Sequence, residues 1–290
     1  MPNLKEVRNR ITSVNSTSQI TSAMKMVSAA KLRRAQDAIT QLRPYASKLK
    51  EVLENVTATM ESSTGSIYAE KRAENNILIV PITSNRGLCG AFNANVIKLT
   101  NRLIREDYAG KNISIFPVGK KANDFFKKGN LTLFKENGEA NVLFDKLTFD
   151  NVAPFAEEIM AAFANKQFDK VVLIYNRFKN AAVQLPTAEQ LLPVEQSENT
   201  SISSTEYIYE PNKEFIVNEL IPKSLKIQFY KALLDSHAAE HGARMTAMHK
   251  ATDNAKELLR TLRISYNKAR QAAITNEILE IVGGANALKG

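Results

Sequence analysis

Apolar residues near the start of the chain recur in alternating steps of three and four. A seam two positions wide with a repeat near 3.5 residues is typical of a coiled coil rather than of a globular helix face. We therefore predict a long helix over residues 1–60, bent locally at Pro44 because proline lacks a backbone donor. The pattern comprises Leu4, Val7, Ile11 and Val14, then less regularly Ile20, Met24 and Val27, and again regularly Ala35, Ala38, Leu42, Tyr45, Leu49, Val52 and Val56.

A similar pattern follows Pro222 and contains no further proline. It predicts a second helix over residues 223–290, roughly 90–100 Å long at about 1.5 Å per residue. A pattern of this length without caps is not that of an ordinary globular helix. Its members include Leu225, Phe229, Leu233, Met248, Ala255, Leu259, Leu262, Tyr266, Ala269 and Ala273.

Residues 61–222 alternate between strand and helix patterns, which predicts a mostly parallel sheet flanked by helices in a Rossmann-like α/β domain. We expect strands at 76–83, 112–119 and 170–178, helices at 91–107, 120–128 and 152–167, an extended segment at 181–194, and a polar surface loop at 195–206.

The chain order of these segments fixes how the two long helices meet. The first enters the central domain by its C-terminal end, and the last leaves it by its N-terminal end, so paired seams require an antiparallel coiled coil. Because the last helix is longer, its final stretch at 263–285 is predicted to project without a partner in this chain. The predicted fold class is therefore α/β, with an antiparallel coiled coil formed by 1–60 and 223–290 around a central domain at 61–222.

The distribution of charge and the cysteine count limit the classes of function that the chain can have. The net charge of +9 is carried by the two ends, at +6 for 1–60 and +5 for 223–290, whereas the middle carries −2. This distribution indicates an acidic partner for the ends. The lone Cys89 excludes an internal disulfide framework and fits a reducing compartment. The longest apolar runs are too short to span a bilayer.

Two motifs suggest chemistry. The sequence HAAEH at 237–241 matches an inverted zinc-protease pattern, with two imidazoles one turn apart and Glu240 as a base. Every later carboxylate lies on the same long helix and cannot converge as a third ligand, so we interpret the histidines as surface residues. The sequence SNRGLCGAF at 84–92 follows a strand and opens a helix, but it lacks a complete phosphate-binding motif. We interpret it as a tight turn, with Cys89 as a small buried residue.

Several segments together resemble the gamma subunit of F-type ATP synthases. They are LKEVRNRITSVNSTSQITSAMKMVSAAKLRRAQ at 4–36, RPYA at 43–46, SNRGLCGAFN at 84–93, YIYEP at 207–211, ARMTAMHKATDNA at 243–255 and YNKARQAAITNEILEIVGGA at 266–285. Relative to the family pattern, Asn85 replaces an aspartate, Ala91 often a glycine, and the loop before Tyr207 is longer.

The resemblance implies a rotor without bond chemistry of its own and with no cofactor. Its partners would be the alpha and beta subunits of the catalytic ring, subunit epsilon and the c-ring, and its location the cytoplasmic face of the bacterial inner membrane. The residues that the resemblance assigns to contacts are Met24, Lys25, Arg270, Gln271 and Thr275 for beta, Tyr207 and Glu210 for the c-ring and epsilon, and Ile281, Gly283, Gly284 and Ala285 for a smooth bearing at the tip.

Two other functions stay open on the sequence alone. One is a zinc hydrolase that uses the HAAEH motif. The other is a basic coiled-coil protein that binds nucleic acid through the run at 31–34, although aromatic residues do not interleave with these charges.

Overall fold

The computed structural model describes residues 4–58, 67–70, 72–129, 131–135, 138–194 and 213–287. The chain forms two compact units. Residues 1–28 and 245–290 make one, named here the two-helix unit, and residues 29–244 make the other, named the α/β unit. The predicted domain borders at 60 and 222 stay a prediction.

Two long helices begin and end the described chain. Helix α1 spans Leu4–Ala58 and contains Pro44. The last helix spans Lys213–Ala287 and contains Pro222, so the predicted start at 223 was ten residues late. Proline removes one backbone hydrogen bond from a helix. Here the neighbouring Ile221 and Leu225 are 4% and 2% exposed, and their burial offsets that loss.

A five-stranded sheet lies at the centre of the α/β unit. Its strands are β1 Asn76–Pro81, β2 Asn112–Ile115, β3 Thr132–Leu133, β4 Lys170–Phe178 and β5 Gln184–Leu192. Their order is β3-β2-β1-β4-β5, the order of doubly wound folds. Only β5 runs antiparallel. The segment predicted as extended is this strand, and the short connection from β4 allows only a hairpin.

Three helices connect the strands, namely α2 Phe92–Arg105, α3 Lys120–Phe126 and α4 Phe149–Ala164; the last helix of the chain is α5. Two short 3₁₀ segments lie at Ile67–Ala69 and Glu139–Phe144. The sheet is covered on both faces. One core includes Phe163 and Phe229, and the other is built around Val96 and Phe126.

The turns after β1 and β2 approach each other at the carboxyl edge of the sheet. Gly119 has φ of +94°, and a Cβ there would lie 2.1 Å from the carbonyl oxygen of Thr83. The side chain of Thr83 in turn accepts a hydrogen bond from the Ala122 amide at 2.8 Å. A glycine is therefore required at this close approach.

Among the described residues, the helices are either too short or too polar to cross a membrane.

Candidate functional site

The two-helix unit is held by a regular seam. Buried or half-buried positions recur at alternating steps of three and four on both helices, which confirms the predicted coiled coil. The seam positions are Leu4, Val7, Ile11, Val14, Ser18, Thr21, Lys25 and Ser28 on α1, and Met248, Thr252, Ala255, Leu259, Leu262, Tyr266 and Ala269 on α5.

The second half of this seam differs from the prediction. Ile20 and Val27 are 60% and 57% exposed, so these apolar residues lie outside the helix pair. Ser18, Thr21 and Ser28 occupy the seam in their place and are at most 9% exposed. Small hydroxyl side chains fit here because they can donate to carbonyls of their own helix, as Ser28 does to Met24 at 2.7 Å and Thr21 to Ser18 at 3.1 Å.

Contacts across the seam show that the helices are antiparallel. The Thr21 and Thr252 hydroxyl oxygens lie 2.8 Å apart, and Arg8 donates a hydrogen bond to the Tyr266 hydroxyl at 3.0 Å. Arg8 lies 13 residues before Thr21 on α1, whereas its partner Tyr266 lies 14 residues after Thr252 on α5, so the two helices run in opposite directions. The predicted orientation is confirmed, and the buried hydroxyl pair fixes the register at one level.

Helix α5 continues beyond its pairing with α1. Residues 273–286 are all exposed, and Ile278, Leu279 and Ile281 expose 55%, 63% and 67% of their surface. An isolated helix whose apolar residues face solvent on several sides has no partner within this unit. We name residues 273–286 the α5 extension. At about 1.5 Å per residue it is roughly 20 Å long.

In the α/β unit, the turn at 84–92 lies at the switch point between β1 and β4, where doubly wound folds bind ligands. Here helix α5 packs against it. Cys89 and Phe92 form a buried cluster with Ala239 and Ala243, and Cys89 is 1% exposed. This confirms the interpretation of a tight turn with a buried cysteine.

A buried arginine ties this turn to α5. Arg244 donates to the backbone carbonyl oxygens of Gly87 and Arg86, and its guanidinium lies 2.6 Å from the Glu240 carboxylate. The two side chains are 9% and 11% exposed. Burial raises the pKa of Glu240, whereas Arg244 opposes that shift. We name Arg244, Glu240 and the two carbonyls the arginine clamp. Its link to the turn could not be predicted from the sequence, because Arg244 and Gly87 lie 157 positions apart.

The amide at position 85 also has a structural role. Asn85 donates to the carbonyl oxygen of Asn141 at 2.7 Å and accepts from the Lys120 amide at 3.0 Å. A carboxylate accepts hydrogen bonds but does not donate them. The asparagine therefore joins three connections of the sheet where an aspartate would join only two.

Within the HAAEH motif, Glu240 and His241 are buried and His237 is half-buried, which corrects the interpretation of surface histidines. The Nε2 atoms of His237 and His241 lie 3.1 Å apart, and His237 stacks on Phe144. Burial lowers the pKa of His237 to about 4 and, with the neighbouring His237, that of His241 to about 3. Glu240 is bonded to Arg244 rather than free to act as a base. Within the described ranges, no three metal-binding side chains cluster.

Comparisons with known proteins identify the family. A family model described as "ATP synthase" matches residues 3–288. The ATP synthase gamma chain of Flavobacterium johnsoniae is 60% identical over 292 residues, and that of Christiangramia forsetii is 58% identical over 290, each alignment covering all of both chains. The chain belongs to the ATP synthase gamma chain family. It is thus a component of an ATP synthase complex, and the resemblance seen in its motifs is confirmed.

Solved structures of ATP synthases contain chains with a fold similar to that of this chain. A chain of the central stalk and c-ring of Tetrahymena thermophila mitochondrial ATP synthase matches with a TM-score of 0.57 and 26% identity, covering 80% of this chain and 99% of that one. A chain of the Euglena gracilis mitochondrial ATP synthase assembly of OSCP, F1 and c-ring matches with a TM-score of 0.66 and 22% identity, covering 98% and 94%. The predicted fold and the predicted central-stalk rotor role are confirmed.

The residues that the family resemblance assigns to beta lie in two groups. Met24 and Lys25 are half-buried on α1, and the Lys25 ammonium lies 3.3 Å from His249. Arg270, Gln271 and Thr275 are exposed on α5. The two groups are separated by some twenty residues of α5, or roughly 30 Å. They stay predictions, and they form two separate contact regions rather than one site.

The structure describes the residues assigned to the tip but not those assigned to the c-ring and epsilon. Ile281, Gly283, Gly284 and Ala285 are exposed in the α5 extension, and both glycines lie in open space. Their predicted bearing role is not tested by the fold. Tyr207 and Glu210, predicted to contact the c-ring and epsilon, lie outside the described residues.

Proposed function

We propose that this chain is the shaft that couples rotation of a membrane c-ring to the catalytic ring of alpha and beta subunits. In the proposed mechanism, proton flow turns the ring and the shaft, and the shaft biases each catalytic site in turn through contacts that differ with angle. Such bias is a coupling free energy carried by differential contact. The chain itself performs no bond chemistry.

The observation that supports this function best is the exposure of the α5 extension, in a chain that belongs to the gamma chain family. Its exposed aliphatic residues have no partner in the two-helix unit. Apolar surface of this kind is stabilised when a partner covers it. The catalytic ring is the proposed partner, and Ile281, Gly283, Gly284 and Ala285 are the proposed bearing within it.

The polar contacts proposed for beta involve positive charge. Lys25 on α1 and Arg270 on α5 fit acidic loops of that subunit, while Met24, Gln271 and Thr275 supply neutral contacts. Exposed ion pairs contribute only about 0–1 kcal/mol each. We therefore propose that these charges affect the rate of assembly and the preferred rotational angle of the shaft more than the affinity of the chain for beta.

We place the chain at the cytoplasmic face of the bacterial inner membrane as a peripheral subunit. Tyr207 and Glu210 are proposed to reach the c-ring and epsilon. The domain division proposed from the sequence assigns the coiled coil to 1–60 and 223–290 and the foot to 61–222.

Removing residues 263–290 in the assembled ATP synthase tests this function. We expect the truncated complex to assemble and to lose most of its ATP-driven proton pumping, because the shaft no longer reaches its bearing. Pumping is measured in membrane vesicles and divided by the rate of ATP hydrolysis. A truncation of residues 288–290 alone is the control and should pump normally. Normal pumping by the longer truncation would overturn the proposed role of the tip.

A further inference from the structure

Two imidazoles meet on one face of α5 within the α/β unit. His237 and His241 lie one turn apart, a spacing at which the side chains of a helix are neighbours. Their Nε2 atoms are 3.1 Å apart, and their ring planes are nearly perpendicular, at 89°. His241 is 6% exposed, and its Nδ1 is enclosed without a hydrogen-bond partner in the described chain. Nε2 is therefore the atom through which His241 reaches another group. We name these two side chains the histidine pair.

The positions of the two rings bear on what this contact is. A straight N–H···N hydrogen bond at this distance places the rings end to end, with their centroids about 5.4 Å apart. Two imidazoles that share one metal ion, each bonded to it at about 2.0–2.1 Å, are instead inclined toward a common point, with centroids about 4.8 Å apart. The observed centroid separation is 4.5 Å, which is nearer to the value for a shared ion. The rings are thus poorly aligned for a hydrogen bond and are inclined as in a chelate.

The distance between the nitrogen atoms also suits a metal ion. With metal–nitrogen bonds of about 2.0–2.1 Å, a separation of 3.1 Å corresponds to an N–metal–N angle of about 95–102°. That angle lies between the value of about 90° in square-planar or octahedral sites and the value of about 109° in tetrahedral sites. Imidazole nitrogen is a preferred ligand of Zn²⁺, Cu²⁺ and Ni²⁺, whereas Mg²⁺ and Ca²⁺ prefer oxygen. The histidine pair therefore fits a divalent transition metal.

The groups around the histidine pair limit how many ligands the chain supplies. On α5, the Glu240 carboxylate is held by Arg244 at 2.6 Å and does not turn to the pair. From α1, Lys31 acts on both imidazoles through its positive charge. Phe144 stacks on His237 and offers no ligand atom. Over the ranges that the structure describes, no third histidine, cysteine or carboxylate joins the pair. Water must complete the coordination of an ion held here, as it does at metal sites with open positions.

We propose that the histidine pair binds one divalent transition-metal ion through Nε2 of His237 and Nε2 of His241, with water at the remaining positions. His237 is half-buried, which gives the ion a path from solvent. As the ion binds, the ring whose Nε2 carries the proton changes to the Nδ1–H tautomer, so both Nε2 lone pairs face the ion and no net proton is released. A site of this kind lies outside the rotor role proposed above, and its failure would leave that role untouched.

Metal binding by the purified full-length chain, prepared without an affinity tag, tests the proposal. Zn²⁺ binding is measured by competition with a chromophoric chelator, and Cu²⁺ coordination by electron paramagnetic resonance. We expect one saturable Zn²⁺ ion per chain, tighter binding of Cu²⁺ than of Zn²⁺, and a Cu²⁺ signal split by two nitrogen atoms. An excess of Mg²⁺ should displace neither ion, because it prefers oxygen ligands.

Substitutions connect this binding to the histidine pair. His237→Gln and His241→Gln should each weaken Zn²⁺ binding at least about tenfold, because the second imidazole of a chelate acts at high effective concentration. The matched control is His249→Gln, which removes the third histidine of the chain, an exposed one, and should leave the affinity unchanged. Lys31→Gln should strengthen binding about threefold, because it removes a nearby positive charge. Lys31 is exposed, so this variant leaves the core intact.

Three results overturn the proposal. They are no saturable Zn²⁺ binding by the wild type, an unchanged affinity in both variants of the histidine pair, and an affinity that is lost in His249→Gln alone. If circular dichroism shows that the variants of the pair do not fold, an unchanged affinity in Lys31→Gln counts against the proposal. A Cu²⁺ signal split by a single nitrogen atom also contradicts it, since a chelate requires both rings.

Discussion

Replacing Arg244 with leucine should destabilise the purified chain by about 4 kcal/mol. The substitution leaves Glu240 as an unpaired charge at a site where both side chains are about one-tenth exposed. Breaking a buried ion pair in this way costs about 3–5 kcal/mol. The carbonyl oxygens of Gly87 and Arg86 also lose their hydrogen-bond donor. This loss adds a further cost, which is smaller if water reaches the site and donates to them instead.

Urea denaturation followed by circular dichroism measures this loss. With a slope of about 3 kcal/mol per molar urea, the midpoint should fall by about 1 M. Arg34→Leu, which changes an exposed arginine of the same unit, should move it little. Glu240→Leu combined with Arg244→Leu should recover about half of the loss, because the pair is replaced by apolar groups while the two carbonyls stay unpaired.

The pH dependence gives an independent check on the arginine clamp. Burial already raises the pKa of Glu240, and losing Arg244 raises it further. A carboxyl whose folded-state pKa exceeds its unfolded value destabilises the protein increasingly as pH rises. The deficit of Arg244→Leu relative to wild type should therefore shrink between pH 7 and pH 5. A loss below about 1 kcal/mol at pH 7, or a double variant weaker than the single one, would refute the reasoning.

Two further changes test other buried groups. The pKa values of His237 and His241 in the folded chain are lowered to about 4 and about 3. As pH falls, the unfolded chain therefore takes up protons before the folded chain does. The free energy of unfolding should drop below pH 6.5 by up to about 1.4 kcal/mol per pH unit for each histidine, until these pKa values are reached. Denaturation midpoints are measured from pH 7.5 to 5 for the wild type, for the double variant His237→Gln with His241→Gln, and for the exposed-site control His249→Gln. The slope with pH should be smaller in the double variant and unchanged in the control, and an equal slope in all three proteins contradicts the prediction. In the seam, Thr21→Val should cost about 1 kcal/mol because the Thr252 hydroxyl loses its cross-helix partner, and adding Thr252→Val should restore most of that stability. A double-mutant cycle by thermal melting measures the coupling, and strictly additive losses would exclude a contribution from the hydroxyl pair.

The sequence predicted those features whose cause is local. Strand β4 has the predicted bounds because its apolar run is continuous and ends at a polar turn. The coiled coil was predicted from its repeat, and its orientation from the order of segments. Strand β3, with two residues, is too short to leave a pattern.

Other features depend on contacts that a pattern of apolar residues does not record. Beyond Val14, hydroxyl side chains occupy three of the four seam positions up to Ser28, so counting apolar residues pointed to Ile20 and Val27 instead. Burial of the HAAEH motif follows from its packing in the α/β unit and not from its own spacing. Contact residues in the two-helix unit were assigned only through the family, since exposed side chains on a helix carry no signal of their partner.

The α5 extension also determines how local stability is distributed along α5. Residues 245–269 are held by a neighbouring helix, whereas the exposed residues of the α5 extension are held by hydrogen bonds within α5 alone. Gly283 and Gly284 weaken that helix further by about 1 kcal/mol each. Backbone amides in the free chain should therefore exchange with deuterium within seconds at the end of α5 and far more slowly along the paired segment. A surrounding sleeve would supply the missing order, so the rigidity of this segment would depend on the assembly and not on the polypeptide alone.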